Sequence, residues 1–255
     1  MSTVRRGRPV IRVLGPVDVV TPDGEISVGG HQPRALLAAL VMAAGRAVPT
    51  DQLRWVMWGE EPPPGADATL QAYVSHLRQL LGVDAIVLTD HSYALDVDVV
   101  DIDAITFQQL VRQSDTAADE PAESWRLARE ALQLWRGQPF GDLADEEAFT
   151  VEAYRLEGLR QAAMEMSIQA DLALGHHELV VGELETAVRE SPYREELWRL
   201  LIVALAQGGR RVEALRACNE LRRTLGEIGV SLGPEFVELE QEILSGNLPE
   251  DIDTR

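Results

Sequence analysis

Two glycines, Gly175 and Gly209, stand 34 residues apart, and the residues behind them keep step. Val180, Leu184 and Ala187 follow the first; Ala214, Cys218 and Leu221 follow the second at the same offsets. Apolar residues spaced by four and three form one face of a helix. Each glycine therefore closes one helix and opens the turn into the next. A period of roughly 20–50 residues is a stronger constraint than composition, because one helix pair cannot bury its own apolar face and must stack on its neighbour.

Thirty-four residues is the tetratricopeptide period. Trp198, Leu201 and Leu205 supply the apolar face of the second unit's first helix, and Met164, Ile168 and Leu172 that of the first unit. Upstream, Phe107, Leu110 and Val111 with Ala128, Leu132 and Trp135 read as a further pair. Leu232-Gly233-Pro234-Glu235 starts a closing helix, Phe236 to Leu244. From Asp103 onward the pattern is helical, and the natural cut falls between Val97 and Asp103.

The first hundred residues read differently. Val10 to Leu14, Val17 to Val20 and Ile26 to Val28 are strand-like, with a turn at Pro22-Asp23-Gly24-Glu25. Pro33 suits the first turn of a helix that runs to about Ala44. A second helix spans Thr50, a candidate N-cap, to Trp58, and Gly59 with Pro62-Pro63-Pro64-Gly65 ends it. A third, about Asp67 to Leu81, sets Leu70, Val74, Leu77 and Leu81 in one stripe, with Gln71, Ala72, Ser75, His76, Arg78 and Gln79 on the other face. Ala85 to Thr89 and Tyr93 to Val97 then form a hairpin with Asp90-His91-Ser92 at its tip. Strands, three helices and a hairpin are the order of a winged helix-turn-helix. The expected fold class is therefore mainly α with small β elements: an N-terminal winged helix-turn-helix followed by an all-α tetratricopeptide-like helical repeat domain.

The domains are expected at 10–99 and 103–247, between a flexible basic tail at 1–9 and a C-terminal tail at 248–255. The tail cluster Arg5-Arg6 with Arg8 reads equally as an arm on phosphate or as a soluble end.

Charge and residue usage exclude several function classes. All 23 basic residues are Arg, so no Walker, kinase-type or Schiff-base Lys exists. The one cysteine, Cys218, rules out disulfide frameworks and reads as core filler. No nucleophile elbow, zinc helix or phosphate loop is present, so no enzyme, catalytic residue, cofactor or metal is expected. His176-His177-Glu178 cannot share an ion, because neighbours on a helix diverge by about 100°. Asp96, Asp98, Asp101 and Asp103 lack a calcium loop's Gly and terminal Glu and read as a solvated strand end and helix N-terminus. The longest apolar run, Ala35 to Ala44, is too short for a membrane span, and a cytoplasmic protein is expected. The net charge of −19 is uneven: Met1 to Gly82 carry +1, and the remaining 173 residues carry −20. That acidic part is either solvated surface or a second partner's site.

Arg34-Ala35-Leu36-Leu37-Ala38-Ala39-Leu40, Trp58-Gly59-Glu60 and Leu70-Gln71-Ala72-Tyr73-Val74-Ser75-His76-Leu77-Arg78 resemble the OmpR-type winged helix. Ala170 to Leu179, and Glu213-Ala214-Leu215 through Glu235, resemble the bacterial transcriptional activation domain. The pairing is similar to the Streptomyces antibiotic regulatory protein (SARP) family of AfsR- and EmbR-like regulators, over about Val10 to Leu244. The resemblance implies a regulator that binds repeated promoter sites side by side, in tandem or as a homodimer, and recruits RNA polymerase through the Gly59–Gly65 loop and the helical domain. Candidate contacts to double-stranded promoter DNA are Gln71, Ser75, His76, Arg78 and Gln79 on the third helix, Arg54 on the second, and His91 at the hairpin tip. The chain departs from the family at His76 and Gln79, where Arg is common, at Asp67, and at Ser92-Tyr93-Ala94, where Gly-Tyr-Arg is usual. Each change removes positive charge or adds negative. The alternative is a protein-interaction module that does not bind DNA and acts through the acidic repeats.

Overall fold

The computed structural model describes residues 7–246. Residues 1–6 of the expected basic tail at 1–9, with Arg5 and Arg6, and the whole expected C-terminal tail at 248–255 lie outside the described residues. The chain packs as two compact units, the first up to Val111 together with Glu130–Gln161, the second Arg112–Arg129 together with the residues from Ala162 on.

The first unit opens with β1 (Val10–Arg12), β2 (Asp18–Thr21) and β3 (Gly24–Ile26). β1 and β2 run antiparallel with Ile11 opposite Val19, and β3 adds to β2 with Ile26 opposite Val19. The alternation puts Ile11 and Val19 into the core. Next come α1 (His31–Ala43), β4 (Val48–Pro49), α2 (Thr50–Trp58) and α3 (Ala66–Leu81). Thr50 is the first residue of α2 and makes no side-chain cap; its N–H donates to His91 O at 3.0 Å. The hairpin is β5 (Ile86–Thr89) and β6 (Ser92–Leu95), and β4 pairs on the far side of β6. At its tip Asp90 and His91 both have positive φ (44° and 60°), the combination of a tight type I′ turn. β7 (Asp101–Ile102) runs parallel to β1 and closes a sheet of order β3-β2-β1-β7. Two residues are too few to carry a strand pattern, so neither β4 nor β7 is visible in the sequence.

Asp103 corrects the reading of a solvated acidic run. It is buried, and its carboxylate accepts the N–H groups of Val13 (2.8 Å) and Leu14 (3.0 Å). β1 stops at Arg12, so these two donors have lost their strand partner, and buried donors need one. Arg136 lies in the same unit and bonds Asp18 at 2.8 Å and the Pro16 carbonyl at 3.1 Å. Trp135 stands past the helix assigned to it and meets Phe107 edge-on at 5.3 Å.

Three helices, α4 (Asp103–Thr116), α5 (Pro121–Leu132) and α6 (Glu147–Ala173), contribute residues to both units. The second unit continues with α7 (His177–Glu190), α8 (Glu195–Gln207), α9 (Arg211–Glu227) and α10 (Pro234–Ser245). Here the 34-residue period becomes geometry. Gly175 and Gly209 take φ of 81° and 76°. His176 N–H donates to Asp171 O and Arg210 N–H to Leu205 O, at 2.9 and 2.8 Å, the same reach five residues back. This is a Schellman-type stop, which needs a left-handed residue and therefore favours glycine. α8 packs between α7 and α9 and is buried from Leu197 to Ala206 except Arg199. Cys218 is buried in that core, and burial pushes its thiol up to about 11. Among the described residues no helix is long and apolar enough to cross a membrane.

Candidate nucleic-acid interface

α3 is anchored by one stripe. Ala66, Leu70, Val74, Leu77 and Leu81 are buried, and the helix packs on α1, α2, β2 and β5. The opposite face presents Gln71, Ser75 and Gln79, all exposed and each one helical turn beyond the last. His91, at the hairpin tip, is exposed as well.

The other three candidates are engaged within the first unit. His76 is half-buried and its Nε2 donates to Val28 O at 3.2 Å. Arg78 directs Nε and Nη2 onto one acceptor, Ile86 O, at 2.9 and 2.6 Å, and so ties α3 to the start of β5. Arg54 is shared by two carboxylates: Nη1 donates to Asp67 Oδ1 at 2.7 Å and Nη2 to Asp51 Oδ1. The sequence places five polar α3 positions on one face, and tertiary neighbours divide them into a projecting row, Gln71, Ser75 and Gln79, and a bracing pair, His76 and Arg78. Between the N-terminal ends of α2 and α3 and the hairpin tip lies a cleft of about 630 Å³, lined by Thr50, Asp51, Arg54, Asp67, Gln71 and His91 among others.

Residues 102–244 match the family model described as bacterial transcriptional activator domain, and residues 29–92 match transcriptional regulatory protein, C terminal. DnrI of Streptomyces peucetius is 30% identical over 250 residues, covering 92% of this chain and 91% of that protein. The chain belongs to the SARP-type transcriptional regulators. AfsR of Streptomyces griseus is 36% identical over 239 residues, 91% of this SARP-type chain but 24% of AfsR, so the chain spans about a quarter of that relative. Mycobacterium tuberculosis EmbR, solved in complex with a low-affinity phosphopeptide, superposes with a TM-score of 0.86 at 30% identity, over 96% of this chain and 67% of that one.

Within this SARP-type site, sequence reading missed Asp51. The signal was available, since Asp51 and Arg54 are spaced i, i+3 on one helix, a pairing distance. The contact of Arg54 with Asp67 joins two helices, and no local spacing encodes it.

Proposed function

We propose that this regulator binds double-stranded promoter DNA with α3 in the major groove and the β5–β6 tip against the backbone, and recruits RNA polymerase from that site. One observation carries the reading: Gln71, Ser75 and Gln79 form an exposed row whose opposite stripe is sealed into the core, beside an exposed hairpin tip. Glutamine can bond an adenine edge bidentately and serine can serve any base, so the row offers base readout. His91 is suited to a phosphate contact, while Arg78 and His76 already bond the carbonyls of Ile86 and Val28 within the unit.

In this reading 10–99 is the DNA-binding domain and 103–247 the activation domain, working in the cytoplasm in tandem or as a homodimer on DNA. The Gly59–Gly65 loop, exposed throughout, offers a surface for the polymerase. The family assignment favours this regulator over a module that does not bind DNA.

Fluorescence anisotropy on DNA from upstream of the protein's own gene, beside a scrambled duplex and across a salt series, tests it. Saturable preference for the upstream duplex is expected. Gln79→Ala should reduce that preference by roughly five- to a hundredfold and leave the salt slope unchanged, as loss of a base contact does. Equal affinity for both duplexes at low salt would overturn the assignment.

A further inference from the structure

Arg54 lies on α2 and faces the cleft between the two helix starts and the hairpin tip. Its side chain is 31% exposed, and its two terminal nitrogens are occupied by Asp67 at 2.7 Å and by Asp51. Both carboxylates are themselves open to water, 68% exposed for Asp67 and 83% for Asp51. Pairs this exposed are weak and screened by salt, so another anion can replace them. A guanidinium fork fits a phosphate as well as a carboxylate. Asp67 also sits in the first turn of α3, where a helix N-terminus would otherwise favour an incoming phosphate.

Resting on the DNA-binding reading above, we propose that Arg54 is a phosphate contact held back by Asp51 and Asp67, so that these two carboxylates set how tightly the protein holds any duplex. In the free protein the arginine is neutralised twice over, and the interface presents negative charge where phosphates arrive. On DNA the arginine exchanges a carboxylate for a phosphate oxygen. The row of Gln71, Ser75 and Gln79 is left to decide the sequence. Weak backbone affinity with intact base readout raises discrimination, because backbone contacts strengthen right and wrong sites alike.

The test is a double-mutant cycle read by anisotropy on the upstream and the scrambled duplex over a salt series. Asp67→Asn should raise affinity for both duplexes by roughly three- to tenfold at low salt and steepen the salt slope by about one. Asp51→Asn should act in the same direction. Arg54→Ala alone should lower affinity for both duplexes by roughly two- to fivefold, since one phosphate contact is lost. In the Arg54→Ala background the gain from Asp67→Asn should vanish. A gain of equal size in that background would mean that only net charge matters and would overturn the proposal, as would no gain from Asp67→Asn. If the wild type prefers its own duplex while either of these holds, the proposal alone fails; if no form binds any duplex, the DNA-binding reading fails with it.

Discussion

Asp103 takes the place of a missing strand, and its position makes it sensitive to pH. Burial pushes its carboxyl up to about 6 from an ordinary 3.8, against the opposing pull of the Val13 and Leu14 N–H groups and of Arg136, 3.9 Å away. An acid whose pKa is raised by folding binds its proton more tightly in the folded state. Between about pH 4 and 6 the folded chain therefore holds more proton than the unfolded one, and stability falls as pH rises through that window. The size is on the order of 3 kcal/mol, at about 1.4 kcal/mol per pH unit. Asp103→Asn removes this dependence. Thermal melts at pH 4.5 and 7 should show the wild type losing ground to the variant on going to pH 7. A difference between the two that does not move with pH would remove the assignment. Nothing in the local sequence marks this aspartate off from Asp96, Asp98 or Asp101, because its partners lie some ninety residues away. The position of Arg78 on α3 was legible, but its partner, Ile86 O, was not, although it is only eight residues on, because the turn between α3 and β5 decides where that carbonyl points.

Helix ends and helix faces are where this sequence is most transparent. Gly209 combines a φ of +76° with open space where a Cβ would stand, so only backbone strain opposes Ala there. Gly209→Ala should cost about 1–2 kcal/mol, the left-handed penalty. Gly182 lies inside α7, is exposed, and would place a Cβ in open space too, but its backbone is helical. Gly182→Ala should stabilise by about 0.5–1 kcal/mol. Urea titrations of the two variants would read opposite shifts in midpoint, and shifts of one sign would falsify the reading of Gly209 as a helix stop. α8 is the complementary case. An amphipathic pattern was expected from Trp198, Leu201 and Leu205, whereas Leu197, Leu200, Ile202 and Val203 are buried as well. A helix that is apolar nearly all round is an interior helix, and α7 and α9 flank it.

For the molecule as a whole, charge is the governing quantity. A net −19 opposes a polyanion, and all of it lies outside the first 82 residues, which carry +1. Non-specific duplex affinity should therefore be weaker than the usual Kd of about 10⁻⁴–10⁻⁶ M at physiological salt. A scrambled duplex should fail to saturate at about 100 μM protein, and saturation well below that would show that local positive charge outweighs the total. The 34-residue period, the winged-helix order and the α3 stripe were determined by the sequence alone, because each depends on residues a few positions apart whose spacing fixes which face is buried. The tertiary structure alone decided that Asp103 completes a strand, that Arg78 braces β5, and that Arg54 reaches Asp67 on the next helix. Those are pairings of polar groups, and a polar side chain takes whatever partner the packed backbone brings within about 3 Å, which local spacing does not record.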